Sequence, residues 1–172
     1  MNLVEFQELS KRTMPYNGDP QTLRDFKKML TNYSMGLIGE LMELSHVFIL
    51  DDYEACKKEI GDVFHYAVGL LLCIGEKLDY ELLRATEWTE HDGAKAMSDI
   101  LEIPKKYIYH GHKMEYEKFK KAIYNILKCF VSQFTDVTLS EILEMNIEKL
   151  KIRYPNGFNS KDSKKRMDVK QG

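Results

Sequence analysis

The sequence predicts an all-α protein, a helical bundle built from a duplicated antiparallel helix pair. Three observations carry this expectation. Only four prolines and ten glycines interrupt 172 residues, and apolar residues recur with the 3.6-residue period over long stretches. Two acidic pairs, Glu40-x-x-Glu43 and Glu59-x-x-Asp62, lie inside two such stretches with Asp51 and Asp52 between them. Residues three apart share a helix face, so a turn at the aspartates brings the second helix back antiparallel, with the acidic faces able to meet. Finally, 53–60 reads YEACKKEI and 116–123 reads YEKFKKAI, and the apolar positions 63, 64 and 68 match 126, 127 and 131. In this faint repeat Asp99-x-x-Glu102 falls opposite Glu40-x-x-Glu43, while Ala122 and Asn125 replace Glu59 and Asp62.

The elements follow in order. A first helix covers about 2–12, with Leu3, Phe6 and Leu9 on one face. Residues 13–19 (TMPYNGD) are a loop by their Pro, Asn and Gly content. Asp19 and Pro20 supply a cap and a first helical residue for a helix reaching about 50, with a break placed near Thr31 and Asn32. Its apolar stripe is Tyr33, Leu37, Leu41, Leu44 and Phe48. A third helix, about 53–77, buries Ile60, Val63, Phe64, Ala67, Leu71 and Ile74. Asp79 caps a short fourth, and His91-Asp92-Gly93 is a break. A fifth covers about 94–109 despite Pro104, which should end or kink it. After a turn at Gly111 and His112, a sixth spans about 115–134, carrying Phe119, Ile123, Ile126, Leu127, Phe130 and Phe134. Thr138-x-x-Glu141 reads as a capping box for a seventh, which runs to 153 and stops at Tyr154-Pro155-Asn156-Gly157.

These elements form one domain over 1–158, with a repeat at about 20–86 that keeps its acids and a degenerate one at about 93–153. Residues 159–172 are Lys-rich and poor in apolar residues, so disorder is expected there. At 44% hydrophobic, 30% charged and a net charge of −2, the chain offers no general reason to bind nucleic acid or membrane. Cys56, Cys73 and Cys129 are an odd, widely spaced set, suited to a reducing cytosol rather than a disulfide framework. With no apolar run long enough for a spanning helix and no signal-like start, a cytoplasmic protein is expected.

Four converging carboxylates would repel strongly without a cation among them, and hard divalent ions with oxygen ligands, Mg²⁺ above all, suit such a site. The competing reading is a solvent-facing polar stripe. Two details oppose it. Gly39 precedes Glu40 and Gly61 precedes Asp62, and a mid-helix glycine costs about 1 kcal/mol relative to alanine, which is easier to understand where something approaches the backbone. Basic residues four positions on are also absent: Leu44, Val47, Val63 and Tyr66 stand there. On the last long helix Asn146, Lys149 and Arg153 share a face, at i, i+3 and i+7. Cations near a helix C-terminus suit its dipole, so a solvated helix end is the plain alternative. A polyphosphate beside Mg²⁺ would nonetheless need such an amide and two cations.

Together, Glu40-x-x-Glu43, Glu59-x-x-Asp62, the preceding Asn32 and Gly39, the opening EFQELSKRT and the closing NIEKLKIRYPNGF at 146–158 resemble the MazG-like all-α nucleoside triphosphate pyrophosphohydrolases. The resemblance covers about 2–86 and 138–158. One acidic half beside a degenerate half is similar to the dimeric deoxyuridine triphosphatases of the same superfamily. The turn Tyr109-His110-Gly111-His112 resembles a loop found between that family's acidic helices, but here it lies in the second copy. The resemblance implies cleavage between the α- and β-phosphates of a (deoxy)nucleoside triphosphate, giving monophosphate and pyrophosphate. It implies Mg²⁺, with Mn²⁺ as a substitute, held by Glu40, Glu43, Glu59 and Asp62, and Glu43 orienting or deprotonating the attacking water. Lys149 and Arg153 would grip the outer phosphates and Asn146 the phosphate or sugar. Asn32 and Tyr66 match positions lining the family's base and sugar pocket, Tyr66 being equally suited to simple core. The internal pseudo-dimer can stand alone or pair again as a homodimer.

Two rival readings fit the same residues. A non-catalytic helical interaction module would keep the same shape. A di-iron bundle would use Glu-x-x-His on two helices; Asp62-x-x-His65 offers one half, and position 128, opposite His65, is lysine. His110 and His112 read as loop residues, Trp88 as packing, and the basic tail as a solubilising segment.

Overall fold

The computed structural model describes residues 1–84, 90–132 and 136–165. All regular structure among them is helical, which establishes the all-α class, and no helix among them is long and apolar enough to cross a membrane. The elements are α1 (Leu3–Lys11), a 3₁₀ turn (Pro15–Gly18), α2 (Leu23–Ile49), α3 (Tyr53–Cys73), α4 (Tyr80–Arg84), α5 (Glu90–Tyr109), α6 (Tyr116–Val131), α7 (Asp136–Arg153) and α8 (Ser160–Lys165). Helix α2 packs chiefly on α3 and α5 on α6, while α7 lies across α3 and α1. The two similar segments 53–60 and 116–123 are the opening turns of α3 and α6, each beginning at its tyrosine.

Local chemistry explains most boundaries, including those that differ from expectation. Asn2 and Glu5 form a reciprocal capping box on α1. Helix α2 starts at Leu23, not after Asp19, because Thr22 is the cap: its hydroxyl oxygen accepts from the Asp25 N–H at 3.1 Å and donates to the Asp25 carboxylate at 2.7 Å. There is no break at Thr31 and Asn32, since the Thr31 hydroxyl donates to the Lys27 carbonyl at 2.9 Å within the helix. Helix α3 ends at Cys73 rather than 77, as Gly75 takes φ +78° and the Glu76 N–H donates back to the Leu71 carbonyl at 2.9 Å. Asp79 caps α4 as expected, accepting from the Leu82 N–H at 3.1 Å.

Further on, His91-Asp92-Gly93 is helical backbone inside α5 and not a break, and Pro104 sits in the same helix without ending it. Ile100 and Ile103 are buried there, so packing holds the helix up to the proline. Helix α6 stops at Val131, and Phe134 and Trp88 lie outside the described residues. Thr138 is already helical, because α7 begins at Asp136, and a cap residue must be non-helical; the expected capping box is therefore absent. The disorder expected from 159 onward does not hold for 160–165. Asn159 caps α8 there, accepting from the Asp162 N–H at 2.8 Å.

One hydrophobic core joins Phe6, Phe64, Phe119, Ile123 and Leu143, with Phe6 set edge-to-face on Phe64 at 6.5 Å. The three cysteines are free, Cys56 and Cys73 buried and Cys129 half-buried. Phe48, expected on the buried stripe of α2, is 75% exposed, because the C-terminal half of α2 reaches toward its turn with α3.

A Cβ at Gly39 would meet nothing within 4 Å, so the close approach expected there does not occur. It occurs at Gly61, where a Cβ would lie 2.8 Å from the Asn146 Cβ of α7, and at two further mid-helix glycines, Gly36 and Gly69. Gly36 of α2 is covered by the Tyr66 ring, and Gly69 of α3 by the Tyr33 ring. Gly39→Ala should therefore stabilise the protein by about 0.5–1 kcal/mol. Gly36→Ala should destabilise it by roughly 1–3 kcal/mol through overpacking against a rigid ring. Urea unfolding of the two variants checks both signs.

Candidate functional site

The antiparallel return of α3 along α2 sets the site. The turn between Ile49 and Tyr53 is tight, with Asp51 at φ +59° and the Asp52 side chain capping α3 through the Ala55 N–H at 2.9 Å. Glu43 and Glu59 each lie eight residues from Asp51, and Glu40 and Asp62 each lie eleven from it. In a helical hairpin, residues equidistant from the turn stand at the same level, so the two acidic pairs face one another.

Glu40, Glu43 and Glu59 each present a carboxylate oxygen, and these oxygens lie within 4.8 Å of one another. Asp62 is not part of that trio. Its Oδ1 accepts from Asn146 Nδ2 at 2.7 Å, and its Oδ2 accepts from the Lys149 ammonium. Asn146, buried against Gly61, and Lys149 thus engage the fourth acid from α7. All four acids line one cavity of about 730 Å³, shared with Asn32, Tyr66, Lys149 and Arg153. Asn146 stands behind this wall, with 4% exposure.

The electrostatics follow from the crowding. Burial first, then the charges of Asp62, Glu43 and Glu59, pushes Glu40 up to about 8, so at neutral pH it keeps its proton and donates to Glu59. Burial and Asp62 also raise Glu59, against the opposing bond from Glu40. Tyr66 is pushed up to about 12 by burial and by the Glu40 and Asp62 charges. A set of carboxyl oxygens alone, crowded enough that Glu40 retains a proton and partly desolvated, suits a hard divalent cation such as Mg²⁺ or Mn²⁺, which would displace that proton, better than a soft metal. His65 is not among the clustered ligand atoms, which weighs against the di-iron reading.

Several wall residues escaped the sequence reading. Lys28, one turn before Asn32 on α2, and Lys58, beside Glu59, both line the cavity and were legible only as surface lysines. Ser163 of α8 also lines it, in a segment expected to be disordered. His65, whose spacing from Asp62 suggests an iron ligand, sits on the cavity wall one turn past that residue.

The acids of the second helix pair are elsewhere. Asp99 faces Lys95 at 2.5 Å and Lys118 at 3.3 Å, Glu102 pairs with Lys105, and neither acid lines this cavity. Lysine neighbours draw both carboxyls below their usual range, although burial of Asp99 acts in the opposite direction. Asp99→Ala and Glu102→Ala are accordingly expected to leave divalent-ion affinity unchanged within about twofold, by titration calorimetry, since both acids are paired with lysines outside the cavity and salt screens what remains of their charge.

Comparison of the chain with protein-family models, with curated proteins and with solved structures returned no match.

Proposed function

We propose that this chain is a Mg²⁺-dependent nucleoside triphosphate pyrophosphohydrolase, cleaving the α–β phosphoanhydride to release a monophosphate and pyrophosphate. The observation that carries the reading is the meeting, on one cavity, of three carboxylate oxygens within 4.8 Å with Lys149 and Arg153 of α7. Acids alone would suit many cations, and cations alone many anions. An acidic cluster beside two cations is what a metal-bound polyphosphate requires.

Glu40, Glu43 and Glu59 would hold the ion, with Asp62 within the same cavity. The ion supplies polarisation of phosphoryl oxygens and a lowered pKa for bound water. The protein's part is positioning and charge compensation, which dominate phosphoryl transfer. Glu43, the exposed member of the trio, orients or deprotonates the attacking water. Lys149 and Arg153 bind the departing phosphates, and Asn146 with Lys149 holds the Asp62 carboxylate in place. Asn32 and Tyr66, further along the cavity, face the sugar and base. The second helix pair, with Ala122 and Asn125 where the first has Glu59 and Asp62, serves as a degenerate scaffold half. The physiological setting is a cytoplasmic nucleotide pool.

The test is pyrophosphate release from a panel of nucleoside triphosphates with Mg²⁺. Turnover that stops on chelation and returns with Mg²⁺ is the expected result. No turnover of any triphosphate at high enzyme concentration would leave the non-catalytic module as the better reading.

A further inference from the structure

We propose that His65 is a specificity-determining residue, whose imidazole hydrogen-bonds the edge of the substrate's base and sets which base is preferred. This rests on the pyrophosphohydrolase reading and deepens it.

His65 lines the cavity yet is only 8% exposed. Its Nδ1 has no hydrogen-bond partner among the described residues, whereas nearly all buried polar atoms are paired. That nitrogen is enclosed as the ring stands, so a base in the cavity reaches the unused bonding capacity through a turn of the imidazole about its Cβ–Cγ bond. The surroundings fit a base. The ring centroid of His65 lies 6.4 Å from that of Tyr33 and 5.7 Å from that of Tyr66, and the two tyrosines are 5.7 Å apart. Both tyrosines are seated on glycines of the opposite helix, Tyr66 on Gly36 and Tyr33 on Gly69. The ring cluster is thereby built into the packed face of the hairpin itself.

The distances along the helices also fit. Tyr33 precedes Glu40 by seven residues, about 10 Å at 1.5 Å per residue, a span on the scale of a nucleoside carrying a phosphate. The acidic end and the cations recognise phosphate and metal whatever the base is. Discrimination must come from a polar group set among apolar rings, and such a group strongly rejects a partner that cannot complete its bond. Burial draws His65 down to about 4, so the ring is neutral, with one donor and one acceptor nitrogen. A charged ring would only donate.

The experiment measures kcat/KM for the common deoxynucleoside triphosphates and for deoxyribose 5′-triphosphate, which has no base, in wild type, His65→Phe and His65→Gln. Wild type should show a clear base preference. His65→Phe should compress the ratio between best and worst base by about 10–100-fold, acting through KM, and leave the base-free triphosphate unchanged. His65→Gln, which keeps a neutral donor and acceptor, should retain a preference, altered in rank. An unchanged ratio in His65→Phe overturns the proposal, as does an equal loss on every substrate including the base-free one, which would mark a structural role. Absence of preference in wild type also overturns it. Absence of any wild-type turnover is a separate result, readable without variants, and removes the pyrophosphohydrolase reading itself.

Discussion

Glu43→Gln should abolish pyrophosphate release, lowering kcat by on the order of 10²–10³-fold or more, while the protein folds normally. Glu43 is exposed, so an amide of the same size disturbs no packing. What it loses is charge and basicity at a place where three carboxylate oxygens gather. Divalent-ion affinity should fall as well, because ligand charge dominates binding of hard cations. The same substitution removes one repelling charge from Glu40, whose proton affinity Glu43 helps to raise. The metal-free variant should therefore be as stable as wild type or slightly more so. Lost activity with undiminished stability is the signature of a functional acid. Pyrophosphate release, Mg²⁺ titration calorimetry and thermal melting check the three parts, and unchanged turnover would remove Glu43 from its role.

The second large effect concerns stability, pH and metal together. Glu40 is raised from 4.5 to about 8 in the folded chain, so the folded state binds its proton more tightly than the unfolded state does. That contribution to stability is complete below about 4.5 and is lost as pH rises through about 8. His65 acts in the opposite sense. Burial lowers it from 6.5 to about 4, so its contribution is present above 6.5 and lost as pH falls toward 4. The two overlap below 6.5, and Glu40 acts unopposed by His65 above it. Between pH 6.5 and 8.5 the metal-free protein should lose stability as pH rises. Saturating Mg²⁺ should compensate the carboxylates and flatten this slope. At a hundredfold excess over its dissociation constant it adds about 2.7 kcal/mol, or roughly 5–10 °C in Tm for a chain of this size. Scanning calorimetry at pH 6.5 and 8.5, with chelator and with Mg²⁺, measures both slopes. A Tm insensitive to pH and to Mg²⁺ would mean that the acids hold no ion.

Much of the site was legible because its geometry is local. Glu40, Glu43, Glu59 and Asp62 converge through two spacings of three and a turn centred on Asp51. Helical period and hairpin symmetry follow from backbone geometry alone, so four residues could be placed together without coordinates. The engagement of Asp62 was not legible. Its partners Asn146 and Lys149 lie 84 and 87 positions away, and nothing in the sequence of α7 announces that it will pack on α3 at Gly61. Glycine itself misled in one case and was overlooked in others. Gly39 looks no different in sequence from Gly36 or Gly69, yet only the latter two carry a tyrosine from the facing helix.

By itself the sequence determined the all-α class, the hairpin of α2 and α3, and the face on which their acids stand. These depend on periodicity, caps and turns, whose free energies act within a turn or two of chain. Tertiary structure alone decided that α7 brings Asn146 to Asp62, that Tyr33 and Tyr66 cross-seat on opposing glycines, and that α8 reaches the cavity wall at Ser163. Such contacts depend on how side-chain volumes from distant helices interlock at close packing, and no short-range pattern records that fit.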